Sequence, residues 1–129
     1  MDLITAFATN NGTTFMDNHF GDANYYDIYK ISASNSEFIK RIDNTVDIEE
    51  ESHADPKKAK GISGLLKSEG IQVVVSKVFG PNIKRIKKNF VCIIISKENI
   101  SQSITHIQQK FDVIVKEWEK GEERLFLKF

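Results

Sequence analysis

Two short apolar runs, Ile71 to Val75 and Phe90 to Ile95, constrain this chain more than any other feature. A strand with one wet face alternates apolar and polar residues, because successive side chains point to opposite sides of the sheet. These runs are mostly continuous and rich in β-branched residues. They therefore predict strands buried on both faces, the condition of central parallel strands in a sheet covered by helices. Each run also follows a helical pattern. Asp55 and Pro56 supply an N-cap and a proline at the first helical position, Ala59, Ile62, Leu65 and Leu66 fall on one face, and Gly70 ends the segment. Gly80-Pro81-Asn82 opens a shorter helix with Ile83 and Ile86 facing in and Lys84, Arg85, Lys87 and Lys88 facing out.

The rest of the chain supplies partners for those strands. Leu3 to Ala8 reads as a buried strand closed by the turn residues Thr9-Asn10-Asn11-Gly12. Tyr25 to Ile31 and Glu37 to Ile42 read as a hairpin across Ser32-Ala33-Ser34-Asn35-Ser36. Ile100, Ile104, Ile107, Phe111, Val115 and Trp118 recur at spacings of four and three, the seam of a single long amphipathic helix. The expected elements are strands near 2–8, 24–31, 37–43, 71–76 and 90–95 and helices near 56–69, 81–88 and 99–119. Leu125 to Phe129 reads equally as an edge strand or an ordered tail. The order β-β-β-α-β-α-β-α predicts an α/β domain with a mixed five-stranded sheet and helices on both faces, as in a ribonuclease H-like three-layer fold. The whole chain, 1–129, is expected to be one domain, with a flexible acidic loop at about 44–55 and a C-terminal extension at about 120–129.

Composition narrows the function by exclusion. Lys plus Arg equals Asp plus Glu at 18 each, so no global field draws the chain to nucleic acid or to an anionic membrane. The N-terminus lacks the features of a signal peptide, no apolar run approaches the ~20 residues of a membrane span, and a lone Cys92 suits a reducing cytoplasm. The expectation is a cytoplasmic protein that touches neither nucleic acid nor membrane. A ribonuclease H-type nuclease would need carboxylates on the first strand to hold magnesium, and Leu3 to Thr9 contains none. Neither a nucleotide-binding glycine loop nor a nucleophile motif suggests another reaction, so the chain is expected not to be an enzyme.

Ligands of open α/β sheets gather outside the carboxyl ends of the strands, where strand order reverses. Two loops should meet there: Asn10 to Gly21, carrying His19, and Ser76 to Asn82, carrying Gly80-Pro81-Asn82 at a helix start that would favour an anion. Their residues, Ala8-Thr9-Asn10-Asn11-Gly12, Asn18-His19-Phe20-Gly21 with Ala23 and Tyr29, and Gly80-Pro81-Asn82, resemble the dinitrogenase iron-molybdenum cofactor biosynthesis family, which includes NifX-type proteins and the C-terminal region of NifB. The resemblance runs from about Leu3 to Phe111.

That resemblance implies a ribonuclease H-like fold and a non-catalytic carrier of an iron-sulfur or iron-molybdenum cofactor precursor, working with metallocluster donor or acceptor proteins. It implies no oligomeric state. The implied binding residues are Asn10, His19, Phe20, Gly21, Gly80, Pro81 and Asn82, with His19 as the metal ligand, and Lys77 is expected to add a cation at the same site. Asp22 stands where such proteins often carry a basic residue, and Lys77-Val78 stand where they often carry glycines. The alternative is a metal-free protein-interaction module on the same fold, in which no cofactor is bound. Cys92, inside an apolar run, reads as a small core hydrophobe. His53 and His106 read as solvated, and the α-helical run of Lys84 to Lys88 as a solvated face.

Overall fold

A computed structural model describes residues 1–44 and 56–129 of the chain. The acidic loop beyond Asn44, with His53, lies outside the described residues. The described part folds around a six-stranded sheet. Strands β1 (Leu3–Thr9), β2 (Tyr25–Ile31) and β3 (Ser36–Asp43) form an antiparallel meander. Helix α1 (Pro56–Ser68) then precedes β4 (Val73–Ser76), which pairs parallel to β1. Helix α2 (Ile83–Ile86) leads to β5 (Val91–Ile94), and helices α3 (Ile100–Gln109) and α4 (Phe111–Glu119) lead to β6 (Leu127–Lys128). The strand order is β3-β2-β1-β4-β5-β6.

The continuous apolar runs are explained by burial on both sides. All four residues of β4 are buried, and its three valines alternate between two cores. Val74 joins Ala6, Ala8, Ile28 and Cys92 under Ile62 and Leu66 of α1 and Ile86 of α2. Val73 and Val75 join Leu3, Phe7, Val91 and Ile93 under Ile100 and Ile107 of α3 and Phe111 and Ile114 of α4. The expected class, an α/β sheet between two helical layers, is the observed one.

Three expectations are corrected. The sheet has six strands rather than five, because the C-terminal residues lie parallel to β5, with Leu127 opposite Ile93 and Lys128 opposite Ile94. The helix expected over 99–119 is two, broken at Lys110, whose φ of −107° and ψ of 21° leave the helical basin. Its amide is shared between the carbonyls of His106 and Ile107, so it stays hydrogen-bonded across the break. The buried stripe passes through Ile114, outside the expected seam, while Val115 and Trp118 are only partly covered. The helix expected over 81–88 shrinks to the single turn of α2, flanked by turns.

Cys92 sits in the α1–α2 core with no exposed surface, and burial pushes its thiol from 9.0 up to about 12. The unfolded chain therefore ionises this thiol first as pH rises. Its protonated form favours the folded state below about pH 9, and that contribution is lost as pH climbs from 9 towards 12. Iodoacetamide at pH 8 is expected to leave the native protein unmodified and to label Cys92 fully in denaturant, as mass spectrometry can read; fast native labelling would contradict this packing.

Candidate functional site

The loop after β1 is built from its own polar side chains. Thr9 Oγ1 donates to the Thr14 carbonyl at 2.7 Å and accepts from the amides of Asn11 and Gly12. Asn11 Oδ1 accepts from the amides of Thr13 and Thr14 at 2.8 and 2.9 Å, the local side-chain bonding that makes Asn a turn former. Gly12 has φ of +84°, and its missing Cβ leaves room for the Arg41 guanidinium. That guanidinium lies 4.3 Å from the centre of the Tyr25 ring and holds the buried Asp27 carboxylate through Nε at 2.8 Å and Nη2 at 3.3 Å.

From this start the loop crosses the carboxyl ends of β1, β4 and β5. The Phe15 amide donates to the Glu98 carbonyl and the Ile100 amide to the Thr13 carbonyl, and Thr14 bridges Asn99 ahead of α3. The loop then returns to β4, where His19 forms a parallel bridge with Val78. The two loops expected to meet therefore do so. His19 stands at the start of a single 3-10 turn, Phe20–Asp22, and its carbonyl accepts from the Asp22 amide at 2.8 Å.

That turn is braced on several sides. Phe20 is fully buried and stacks on Phe79, with centroids 5.1 Å apart and planes 19° off parallel. Its carbonyl accepts from the Tyr26 hydroxyl at 2.8 Å. Burial, reinforced by the Asp22 carboxylate, pushes that phenol far above its ordinary range, so the hydroxyl remains a donor at any ordinary pH. Asn44 Nδ2 donates to the Gly21 and Ala23 carbonyls at 3.0 and 2.8 Å. Asn10 fixes the mouth of the loop by accepting from the Asn24 amide at 3.0 Å.

Across from it, Ser76 Oγ donates to the Val78 carbonyl at 3.0 Å, and Gly80 turns the chain at φ of +79°. The Gly80 backbone lies against the half-buried His19 ring. Pro81 is exposed and Asn82 half-buried. The helix start offers an anion less than its sequence suggests. The Ile83 amide donates to Gly80 and those of Arg85 and Ile86 donate to Asn82, so most first-turn donors already have partners. Lys77 is also engaged. Its ammonium pairs with Asp17 at 3.2 Å and Glu98 at 3.4 Å, which hold its proton more tightly than in the free side chain. Both carboxylates are largely exposed, so these pairs orient the lysine more than they stabilise the fold.

The structure thus gathers His19, Phe20, Gly21, Lys77 and Gly80 at one end of the sheet, with Pro81 and Asn82 following and Asn10 at the loop mouth. Among the described residues, no three His, Cys, Asp or Glu side chains converge as a metal-ion site. His106 is not solvated as expected: its ring packs 5.1 Å from that of Phe129, because β6 returns past α3. Sequence reading missed Phe79, Asn44 and Tyr26. An apolar pair, Val78-Phe79, inside a polar loop was a readable sign of the first; nothing local marks the other two.

A three-layer α/β domain with a histidine loop lying over its parallel strands is the class that fold and site define. The chain belongs to the dinitrogenase iron-molybdenum cofactor family, whose profile matches residues 1–110. A crystal structure of a proposed dinitrogenase from Methanocaldococcus jannaschii resembles it with a TM-score of 0.60 at 17% identity, over 84% of this chain and 90% of that one. An NMR structure of a proposed dinitrogenase from Methanococcus jannaschii gives a TM-score of 0.57 at 15% identity, over 86% and 91%. No curated protein matches the chain. Among the described residues, no helix is long and apolar enough to cross a membrane.

Asn44→Ala removes the donor of two turn carbonyls and is expected to lower unfolding free energy by about 1–2 kcal/mol in urea titrations. It should also broaden or shift the His19 ring signals in proton NMR. Unaltered His19 signals would show that this brace does not reach the imidazole.

Proposed function

We propose that this protein is a cytoplasmic, non-catalytic carrier that takes an iron-sulfur-based precursor of iron-molybdenum cofactor type from one metallocluster protein and yields it to another. The observation that carries this reading is the half-buried His19 imidazole, held between the two loops at the carboxyl ends of the parallel strands, in a chain of this family. The residues suit a preformed cluster better than a single ion. A structural zinc site normally takes four protein ligands, and no such set converges among the described residues. A cluster brings its own bridging sulfides and needs few ligands from the protein. One imidazole supplies a terminal nitrogen donor, and weak anchoring by few ligands suits cargo that must leave.

The metal-free interaction module is the second reading. It is favoured by the pairing of Lys77 and by the internal bonding of the α2 amides, which leave little positive potential for an anionic cluster. A nuclease gains no support: the buried carboxylate of β2, Asp27, is held by Arg41, and among the described residues no three acidic or metal-ligating side chains converge.

Anaerobic titration with a synthetic cluster or isolated cofactor precursor, followed by absorbance and electron paramagnetic resonance, tests the carrier. His19→Ala is expected to weaken binding about tenfold or more. His53→Ala and His106→Ala should bind as the wild type does. Equal binding by His19→Ala would remove His19 as ligand, and a wild type that binds nothing would favour the metal-free module.

A further inference from the structure

We propose that Asn11-Gly12 is a latent deamidation site, which the buried hydroxyl of Thr9 holds shut in the native protein. The pair carries the chemistry of a spontaneous self-modification. The Gly12 amide nitrogen loses its proton and attacks Cγ of Asn11, the carboxamide leaves as ammonia, and the chain closes into a cyclic imide. Water then opens either carbonyl of that imide and leaves aspartate or isoaspartate. One water is consumed and one ammonia released, and nothing is oxidised or reduced. A glycine favours the attack because no Cβ shields its nitrogen.

Burial does not protect this site, since Asn11 is exposed and Gly12 only half-buried. Hydrogen bonding does. Thr9 has no exposed surface, and its hydroxyl proton goes to the Thr14 carbonyl at 2.7 Å rather than to Asn11 Oδ1 at 3.4 Å. The hydroxyl oxygen then accepts from the amides of Asn11 at 3.2 Å and Gly12 at 3.0 Å. The proton that must leave Gly12 is therefore the one that Thr9 holds. The electrophile is fixed as well. Asn11 Oδ1 accepts from the Thr13 and Thr14 amides at 2.8 and 2.9 Å, and Nδ2 donates to the Thr14 hydroxyl at 2.9 Å. Backbone amides can only donate, which settles the orientation of the carboxamide. The reaction thus waits on an opening of the turn that frees the Gly12 amide and lets the carboxamide rotate.

Modification would reach beyond the turn, whatever the site carries. Aspartate adds a negative charge to the loop that leads to His19 and lacks the Nδ2 donor. Isoaspartate also reroutes the backbone through Cγ, which makes the oxygen that held Thr13 and Thr14 a main-chain carbonyl. Those two residues tie the loop to the start of α3, through the Ile100 amide and the bridge to Asn99.

Wild type, Thr9→Val and Thr9→Ser, kept in warm neutral buffer made with heavy-oxygen water, test the proposal. Peptide mass spectrometry reads the labelled oxygen at Asn11. Native wild type is expected to react at least about tenfold more slowly than the same chain unfolded in urea. Thr9→Val keeps the shape of the side chain but removes the acceptor, and it should react severalfold faster than wild type. Thr9→Ser keeps the hydroxyl and should stay slow. A native wild type as fast as the unfolded chain, a Thr9→Val no faster than wild type, or a Thr9→Ser as fast as Thr9→Val would each overturn the proposal. Should Thr9→Val fail to fold, hydrogen exchange of the Gly12 amide in the wild type decides. Strong protection supports the hold of Thr9, and exchange at the rate of the unfolded chain overturns it.

Discussion

Everything in this molecule hangs on the parallel pairing of β1 with β4, Thr5 to Val73 through Phe7 to Val75. It joins a local antiparallel meander to a distant half of the chain, across more than sixty positions of sequence. Such a contact has a high closure entropy and must be offset by burial. The offset comes from β4 itself, which is covered on both faces and feeds both cores at once. At roughly 1.5–3 kcal/mol for each fully buried aliphatic side chain, the three valines of that strand contribute to this offset together with the neighbours they pack against. The two cores are therefore not independent, and loss of register in β4 would expose residues of each.

The same pairing builds the functional end of the domain. Once β1, β4 and β5 run parallel, their carboxyl ends lie side by side, and the loops that leave them must share that end. The loop after β1 spans all three, anchored to the approach of α3 by Thr13, Thr14 and Phe15 and to the β4 loop by His19. Its aromatic contact, Phe20 on Phe79, fastens the two loops with apolar surface, and the Asn44 and Tyr26 hydrogen bonds satisfy the carbonyls that this burial would otherwise strand. A histidine in such a setting has little freedom to search for a ligand.

Charge at this end is balanced locally. Lys77 lies between Asp17 and Glu98, and Arg41 is committed to Asp27. Lys84 and Arg85 of α2, and Lys88 in the turn after it, are exposed.

The sequence by itself determined the layers. Continuous apolar runs at 71–75 and 90–95 required burial on both faces, and the amphipathic segments could cover them only from outside. The hairpin, the turn at Thr9 to Gly12 and the identity of the two loops were legible for the same reason: they depend on the residues within each segment. What only the tertiary structure decided depends on distant groups. Leu127 and Lys128 become a strand because β5 presents an open edge, and the last helix breaks at Lys110, where no proline or glycine marks the site. Lys77 looked like a cation free for an anion until Asp17 and Glu98, 60 and 21 positions away, were folded against it. Gly80 could be read as a turn former, but only the approach of His19 reveals that its missing Cβ is occupied by an imidazole. Local pattern fixes which face of a segment is buried; which side chain it is buried against is settled by chain closure.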